Sequence, residues 1–363
     1  MFTEEIYIYA LGSLLCSFLI SAYLVPTVKD VGHSKRLMDT PNNRSSHTKS
    51  TASLGGIAFF ITFLFSFCIT DQFDTSNISI SILPGVTILF FMGLKDDLVG
   101  LGSKIKFIGQ IIACLILLNH TSFEILNFHG FFGVFNMPVW VNTPLSLLIM
   151  IAIINAYNLI DGIDGLAASI STLGLTCFAI CFFWTGDYLL ALTAVTMIGA
   201  LLGFLLFNLS ESNKIFMGDT GSLVIGFLIA LMSIRLLAFD HELNMFPFHN
   251  RYIPTLMVII ILIPIYDVVR VFTIRILQKR NPFSADRLHV HHIMIDKLQW
   301  SHRRTAFAIS CLNFLIITCS FVFILGDLGL IPLLIFLSII IFFITLTLNK
   351  WSAEIELKKD AKT

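Results

Sequence analysis

Four oxygen-bearing side chains, Asn155, Asn158, Asp161 and Asp164, recur at every third position of NAYNLIDGIDGL, at the end of the apolar run LSLLIMIAII. Steps of three advance about 300° around an α-helix and nearly eclipse in a 3₁₀ turn, so the four side chains converge on one side. Amide and carboxylate oxygens at this spacing are hard ligands of the kind Mg²⁺ prefers, and Mg²⁺ is usually held by few protein ligands plus substrate phosphates. Asp-Gly pairs are also ordinary turn signals, so DGIDG alone would need no chemistry. The two Asn residues upstream are harder to dismiss.

Four further polar clusters accompany it. In GLKDDLVGLGSK, the adjacent Asp96 and Asp97 either end an apolar segment in a polar turn or do chemistry. Neighbouring carboxylates repel, which raises one pKa and suits a proton acceptor, or they share a cation and stay ionised. In MGDTGSLVIGF, Asp219 precedes an apolar run with Thr220 and Ser222 as caps. It is either a plain N-cap or the residue that completes a metal site with Asn158, the glycines letting backbone approach a phosphate. RLHVHH supplies Arg287, His289, His291 and His292. A zinc site competes there, but no Cys partner is at hand and Lys279, Arg280 and Arg287 disfavour a second cation. Phosphate fits better, since Arg grips it bidentately and His near neutral pKa donates to a departing phosphate. NNRSSH adds Arg44 and His47. The remaining histidines, 33, 120, 129, 241, 249 and 302, stand apart and read as interface or loop residues.

These clusters need a frame, and the composition dictates it. The chain has 363 residues, 56% of them hydrophobic and 13% charged, with a mean hydropathy of +0.87; ordinary soluble domains carry about 25% charge. The expectation is an all-α integral membrane protein, because the apolar windows suit helices crossing about 30 Å of hydrocarbon and lack the short alternation of barrel strands. Eleven spans are expected, with ten admissible: 6–25, 54–70, 79–94, 105–119, 143–157, 166–184, 188–206, 221–238, 253–276, 306–325 and 329–349. The leader MFTEE is acidic where a signal peptide needs a basic one, so the first span is expected to be retained with its N-terminus outside. Of the 23 Lys and Arg residues, 19 then fall on inward segments, as the positive-inside rule requires. All five polar clusters face inward too. The outer stretch HTSFEILNFHGFFGVFNMPVWVN is expected to form a small periplasmic hairpin. The seven cysteines all lie in apolar runs and read as buried hydrophobes. With no repeat or soluble domain in view, residues 1–350 form one polytopic domain and 351–363 a charged cytoplasmic tail.

The ordered segments DTPNNRSSH with LGGIAFF, GLKDD, NAYNLIDGIDGL, FMGDTGSL, and PIYDVVR followed by NPFSADRLHVHH resemble the polyprenyl-phosphate N-acetylhexosamine-1-phosphate transferases. They run from residue 39 to 292, about 254 of the 363 residues. The resemblance implies a bacterial inner-membrane enzyme of the branch that starts cell-surface glycans, with its active site facing the cytoplasm. It would move a sugar 1-phosphate, GlcNAc 1-phosphate first, from a UDP-sugar to undecaprenyl phosphate, giving a lipid-linked diphosphate sugar and UMP. Mg²⁺, with Mn²⁺ as substitute, is the implied cofactor. Asn158 and Asp219 match family metal ligands. Asp96 and Asp97 match the paired acids, and Asp161 and Asp164 match acids of the same inner loop. Arg287, His289, His291 and His292 match the loop that contacts nucleotide-sugar phosphates, and Asn155, Arg44 and His47 are grouped with the substrate contacts. The implied partners are UDP-sugar, undecaprenyl phosphate and the bilayer, with no nucleic acid; a homodimer stays open.

Two departures matter. HTKSTASLGG lacks the Pro and Arg that commonly precede the paired glycines, and HVHH differs from the three consecutive histidines of the UDP-MurNAc-pentapeptide branch. The second argues against that donor. GalNAc, FucNAc and QuiNAc donors remain alternatives to GlcNAc. A secondary transporter is the rival from another class; it predicts related halves and charges near the bilayer centre, and neither is visible.

Overall fold

A computed structural model describes residues 3–35, 37, 51–125, 127–239, 246–282 and 287–360. Arg44 and His47 lie outside the described residues. In chain order the elements are α1 (Thr3–Ser34), α2 (Gly56–Thr70), α3 (Ser79–Val99), α4 (Ser103–Leu118), β1 (Asn127–Phe131), β2 (Val134–Asn136), α5 (Val139–Ile160), α6 (Leu166–Thr185), α7 (Tyr188–Asn208), α8 (Gly218–Leu237), α9 (Ile253–Ile260), α10 (Leu262–Leu277), α11 (Val290–Leu298), α12 (His302–Leu325) and α13 (Leu330–Asp360). The chain is an all-α, multi-pass membrane protein.

Helices stand at all eleven expected spans. Among the described residues, eight are long and apolar enough to cross a bilayer alone, and nine if α9 and α10, which meet at a 65° bend, count as one broken span. The 16 residues of α4 rise only about 24 Å, less than the hydrocarbon thickness. The expected hairpin is there: β1 pairs antiparallel with β2 between α4 and α5.

Burial places α8 at the centre. Of its apolar window 94% is buried, against 17% for α1 and 11% for α13. It packs against α2, α3, α5 and α6, while α1 lies along α7. A central helix surrounded by protein needs no polar stripe, and its run LVIGFLIALMSI is apolar all round. Its first turn, GDTGS, is therefore walled in by the ends of its neighbours. α3 runs antiparallel to it, so Asp96 and Asp97 arrive where α8 begins.

Candidate active site

The start of α8 leaves backbone N–H groups without helical partners. Asp97 supplies the acceptors from another helix: its Oδ1 takes the Asp219 N–H at 2.9 Å, and its Oδ2 takes the Thr220 N–H at 2.9 Å and the Thr220 hydroxyl at 2.5 Å. Burial pushes the Asp97 carboxyl up to about 7, against the pull of the Thr220 and Asp219 donors. The junction admits no side chain at residue 218. Gly218 has φ +72°, and a Cβ there would stand 2.0 Å from the Ser53 carbonyl and 2.5 Å from Asp97 Oδ2.

Asp96, one residue earlier, points elsewhere because adjacent helical residues diverge by about 100°. Its Oδ1 accepts from the Leu101 N–H at 2.6 Å, and its Oδ2 from Lys106 Nζ at 2.6 Å. The same ammonium reaches Asp219 Oδ2 at 2.5 Å. Lys106 thus ties α3, α4 and α8 together through two carboxylates. On the other side of Asp219, Asn158 Nδ2 donates to Oδ1 at 3.1 Å and to Ser222 Oγ at 2.9 Å. Asn155 turns away: it exchanges hydrogen bonds with the buried Gln110 amide, at 2.8 and 3.4 Å, and locks α4 onto α5.

α5 ends at Ile160, and the DGID turn leads into α6 through Gly165, whose N–H donates to Asn208 Oδ1 at 2.6 Å. The two acids of this turn differ sharply. Asp164 Oδ2 accepts from Lys214 Nζ at 2.6 Å and lies 3.2 Å from His302 Nδ1. Burial pushes its carboxyl up, but the His302 and Lys214 contacts prevail and hold it below the ordinary carboxylate range. Asp161 has no side-chain partner among the described residues. Burial, then the neighbouring charges of Asp219, Asp97 and Asp164, push its carboxyl well above the usual value.

The histidine segment docks on this turn. A Cβ on residue 162 would stand 2.4 Å from His291 Nε2, so the absence of a side chain at Gly162 is what lets the ring in. His291 stacks at 5.8 Å, nearly parallel, on His289, and lies 4.3 Å from the His292 ring. Burial pulls His291 down to about 3 and His292 down to about 4, the latter helped by Arg287, so both rings are neutral at pH 7. Arg287 forms a two-pronged ion pair with Asp296, at 3.2 and 2.9 Å. His289 is anchored to α10: its Nδ1 lies 2.8 Å from Asp267 Oδ2.

The sequence-derived set therefore converges in part. Asp96, Asp97, Asn158, Asp161 and Asp219 meet at one end of the bundle, with Asp164, His289, His291 and His292 along its flank. Asn155 and Arg287 already have close partners of their own.

A divalent cation fits the donor chemistry. Asp96 and Asp219 share the Lys106 ammonium, Asp161 lies near Asp219 and Asp97, and the Asn158 amide abuts Asp219 through its nitrogen; carboxylate and amide oxygens are the hard ligands that Mg²⁺ takes. Among the described residues no three His, Cys, Asp or Glu side chains form a cage by themselves.

Comparison with known proteins decides the family. The sequence profile of glycosyl transferase family 4 matches residues 79–237. A probable undecaprenyl-phosphate N-acetylglucosaminyl 1-phosphate transferase of Bacillus subtilis (strain 168) is 31% identical over 342 residues, 94% of this chain and 90% of the relative. This chain belongs to glycosyl transferase family 4. The phospho-N-acetylmuramoyl-pentapeptide-transferase of Staphylococcus saprophyticus is 34% identical over 250 residues, 64% of this chain and 76% of the relative, and the Staphylococcus aureus (strain JH9) protein matches to the same extent.

In this family 4 protein the structure adds site residues that sequence reasoning passed over. Lys106 opens an apolar helix, and Asp267 and Arg270 lie inside a broken span; a charge in such a place is costly unless paired, which was the available signal. His302, read as a loop residue, carried none. Its link to Asp164 spans 138 positions of sequence.

Proposed function

We propose that the protein transfers a sugar 1-phosphate, with N-acetylglucosamine 1-phosphate the first donor, from a UDP-sugar to undecaprenyl phosphate at the cytoplasmic face of a bacterial inner membrane. The observation that carries this reading is the Asp96–Lys106–Asp219 bridge set beside Asn158 and Asp161, the latter without a side-chain partner among the described residues, in a chain similar over 94% of its length to the Bacillus subtilis relative. The pentapeptide transferases cover only 64% of it.

The chemical problem is to bring two anions together at the edge of a low-dielectric slab. A phosphate monoester has a second pKa near 6, so the lipid phosphate is largely dianionic at pH 7 and needs neutralisation and placement more than deprotonation. In the proposed step a lipid phosphate oxygen attacks the sugar-proximal phosphorus. One P–O bond forms, the bond to the bridging oxygen breaks, and UMP leaves with that electron pair. Lys106 is the cation for the incoming phosphate, with Asp96 orienting its ammonium. Asp219 and the Asn158 amide oxygen would hold Mg²⁺, which when bound supplies positive charge to the diphosphate. Asp97 keeps the start of α8, and with it Asp219, in place. The neutral His291 and His292 exclude water and offer N–H donors beside the turn carrying Asp161. Direct attack is the economical route, since both Asp97 oxygens are already taken up by donors; trapping a phosphorylated aspartate would contradict it.

The test is a panel of UDP-sugars offered to purified full-length protein with undecaprenyl phosphate, read by UMP release and product mass. UMP together with a lipid diphosphate sugar is expected. Failure with every UDP-sugar would refute the reading.

A further inference from the structure

The PIYDVVR segment of α10 carries two charged side chains three residues apart, on one helix face, and both are buried, Asp267 to 2% exposure and Arg270 to 6%. Both grip the chain just before α11. Arg270 Nη1 donates to the Leu288 carbonyl at 2.8 Å. Asp267 divides its carboxylate: Oδ1 accepts from the Val290 N–H at 2.9 Å, capping α11, and Oδ2 lies 2.8 Å from His289 Nδ1. α10 is braced in turn by α13, through Tyr266 to Thr345 and Arg270 to Asn349.

An ionised carboxylate only accepts hydrogen bonds, so the nitrogen facing it must carry the proton. That fixes the His289 tautomer: Nδ1 is N–H and Nε2 is the variable atom. Nε2 has no partner among the described residues and points away from α10. The ring stacks on His291, and His291 abuts Gly162 in the turn that carries Asp161. The line of contacts runs from α10 through two imidazoles to the candidate site.

We propose that Asp267 is a positioning residue, which holds His289 with Nδ1 protonated and presents its Nε2 to the phosphate of the departing nucleotide. To donate to the leaving oxygen, Nε2 first takes a proton from solvent and then passes it on, while the Asp267 carboxylate accepts from Nδ1–H throughout. The proposal rests on the sugar-phosphate-transfer reading for what His289 Nε2 meets, but the pairing itself does not.

The experiment uses full-length protein in lipid-supplemented micelles. Asp267→Asn keeps an acceptor for the Val290 N–H while offering His289 an amide donor, which reverses the tautomer. At metal-bound histidines a lost orienting carboxylate costs roughly 10- to 100-fold, and a fall of that order is expected here in kcat with the melting temperature retained. Asp267→Glu should recover to within about fivefold. In a His289→Ala background, Asp267→Asn should cost less than about threefold more, since residues acting as a unit are non-additive. An equal loss in both backgrounds would mean that Asp267 only caps α11, and would overturn the proposal. The tautomer is read without turnover, by magic-angle-spinning NMR of isotope-labelled histidine, with His289→Ala assigning the signal. A protonated Nδ1 is expected; an unprotonated Nδ1 overturns the proposal even if Asp267→Asn fails to fold. If UMP release is absent while Nδ1 is protonated, the reaction reading has failed and the pairing stands.

Discussion

Lys106 is the sharpest place to probe the site, because one ammonium bridges two carboxylates that would otherwise repel. Both Oδ2 atoms reach the same Nζ, at 2.6 and 2.5 Å, so they lie within about 5 Å of each other. Replacing Lys106 by Met keeps the length of the side chain and removes the charge. At an effective dielectric of about 20, two unit charges 5 Å apart repel by about 3 kcal/mol. The three side chains are 17–24% exposed, and solvent screening reduces the expected cost to about 1–2 kcal/mol. The sign with pH follows. Repulsion favours a shared proton in the folded state, so the variant's deficit is largest at high pH and is lost as pH falls and one carboxyl protonates. The assay is thermal melting of purified protein at about pH 5 and about pH 8, with and without Mg²⁺. A shift of roughly 2–6 °C relative to wild type is expected at the higher pH, shrinking at the lower pH, with Mg²⁺ stabilising the variant more than wild type. If the deficit is the same at both pH values and Mg²⁺ moves the two proteins equally, the three groups do not share charge as described.

Three other outcomes are expected. Asp219→Ala should express near normally yet lose UMP release by roughly 10²- to 10³-fold or more, and chelation of wild type should do the same until Mg²⁺ is restored; wild-type turnover in either case would remove Asp219 and the metal from the mechanism. Asp97→Ala should lower stability by about 1–3 kcal/mol through loss of the acceptor for three donors at the start of α8, whereas Asp96→Ala should reduce turnover with a smaller change in melting; the reverse order would invert the two roles. His291 is held down to about 3 against an unfolded value near 6.5, so its stabilising effect is complete above about pH 6.5 and is lost towards pH 3, at about 1.4 kcal/mol per pH unit. His291→Gln should flatten the melting profile across that window, and an unchanged slope would refute a buried neutral ring.

Much of this architecture is legible in the sequence because lipid enforces it. Apolar runs of bilayer length, polar clusters at their ends and a lopsided charge distribution are direct consequences of hydrogen-bond and charge costs in hydrocarbon. The hairpin shows through its Gly and aromatic content. The break between α9 and α10 does not, because LMVIIILIPIYD stays apolar across it; Pro264, in the first turn of α10, is its one trace. α11 escapes notice because nine residues, VHHIMIDKL, make too short a pattern. Within the site, sequence names the acids but not their owners. Asp96 and Asp97 are neighbours in the chain and part ways in space, one to Lys106 and the other to α8, and only the packing of antiparallel helices decides which goes where.

That division of labour among carboxylates is what separates a reaction site from a polar plug. At a membrane boundary an unpaired charge costs free energy, and most acids here are fully engaged: Asp97 by the α8 donors, Asp164 by Lys214 and His302, Asp267 by His289 and the Val290 N–H. If the cluster served only to end helices, the same accounting would hold for every member. It does not, since Asp96 and Asp219 share one ammonium and Asp161 has no partner among the described residues. Of these, Asp219 adjoins Asn158 and Asp161 lies in the DGID turn. Under the proposed function, that is where a divalent cation arriving with its phosphates would be placed, since uncompensated carboxylates attract it.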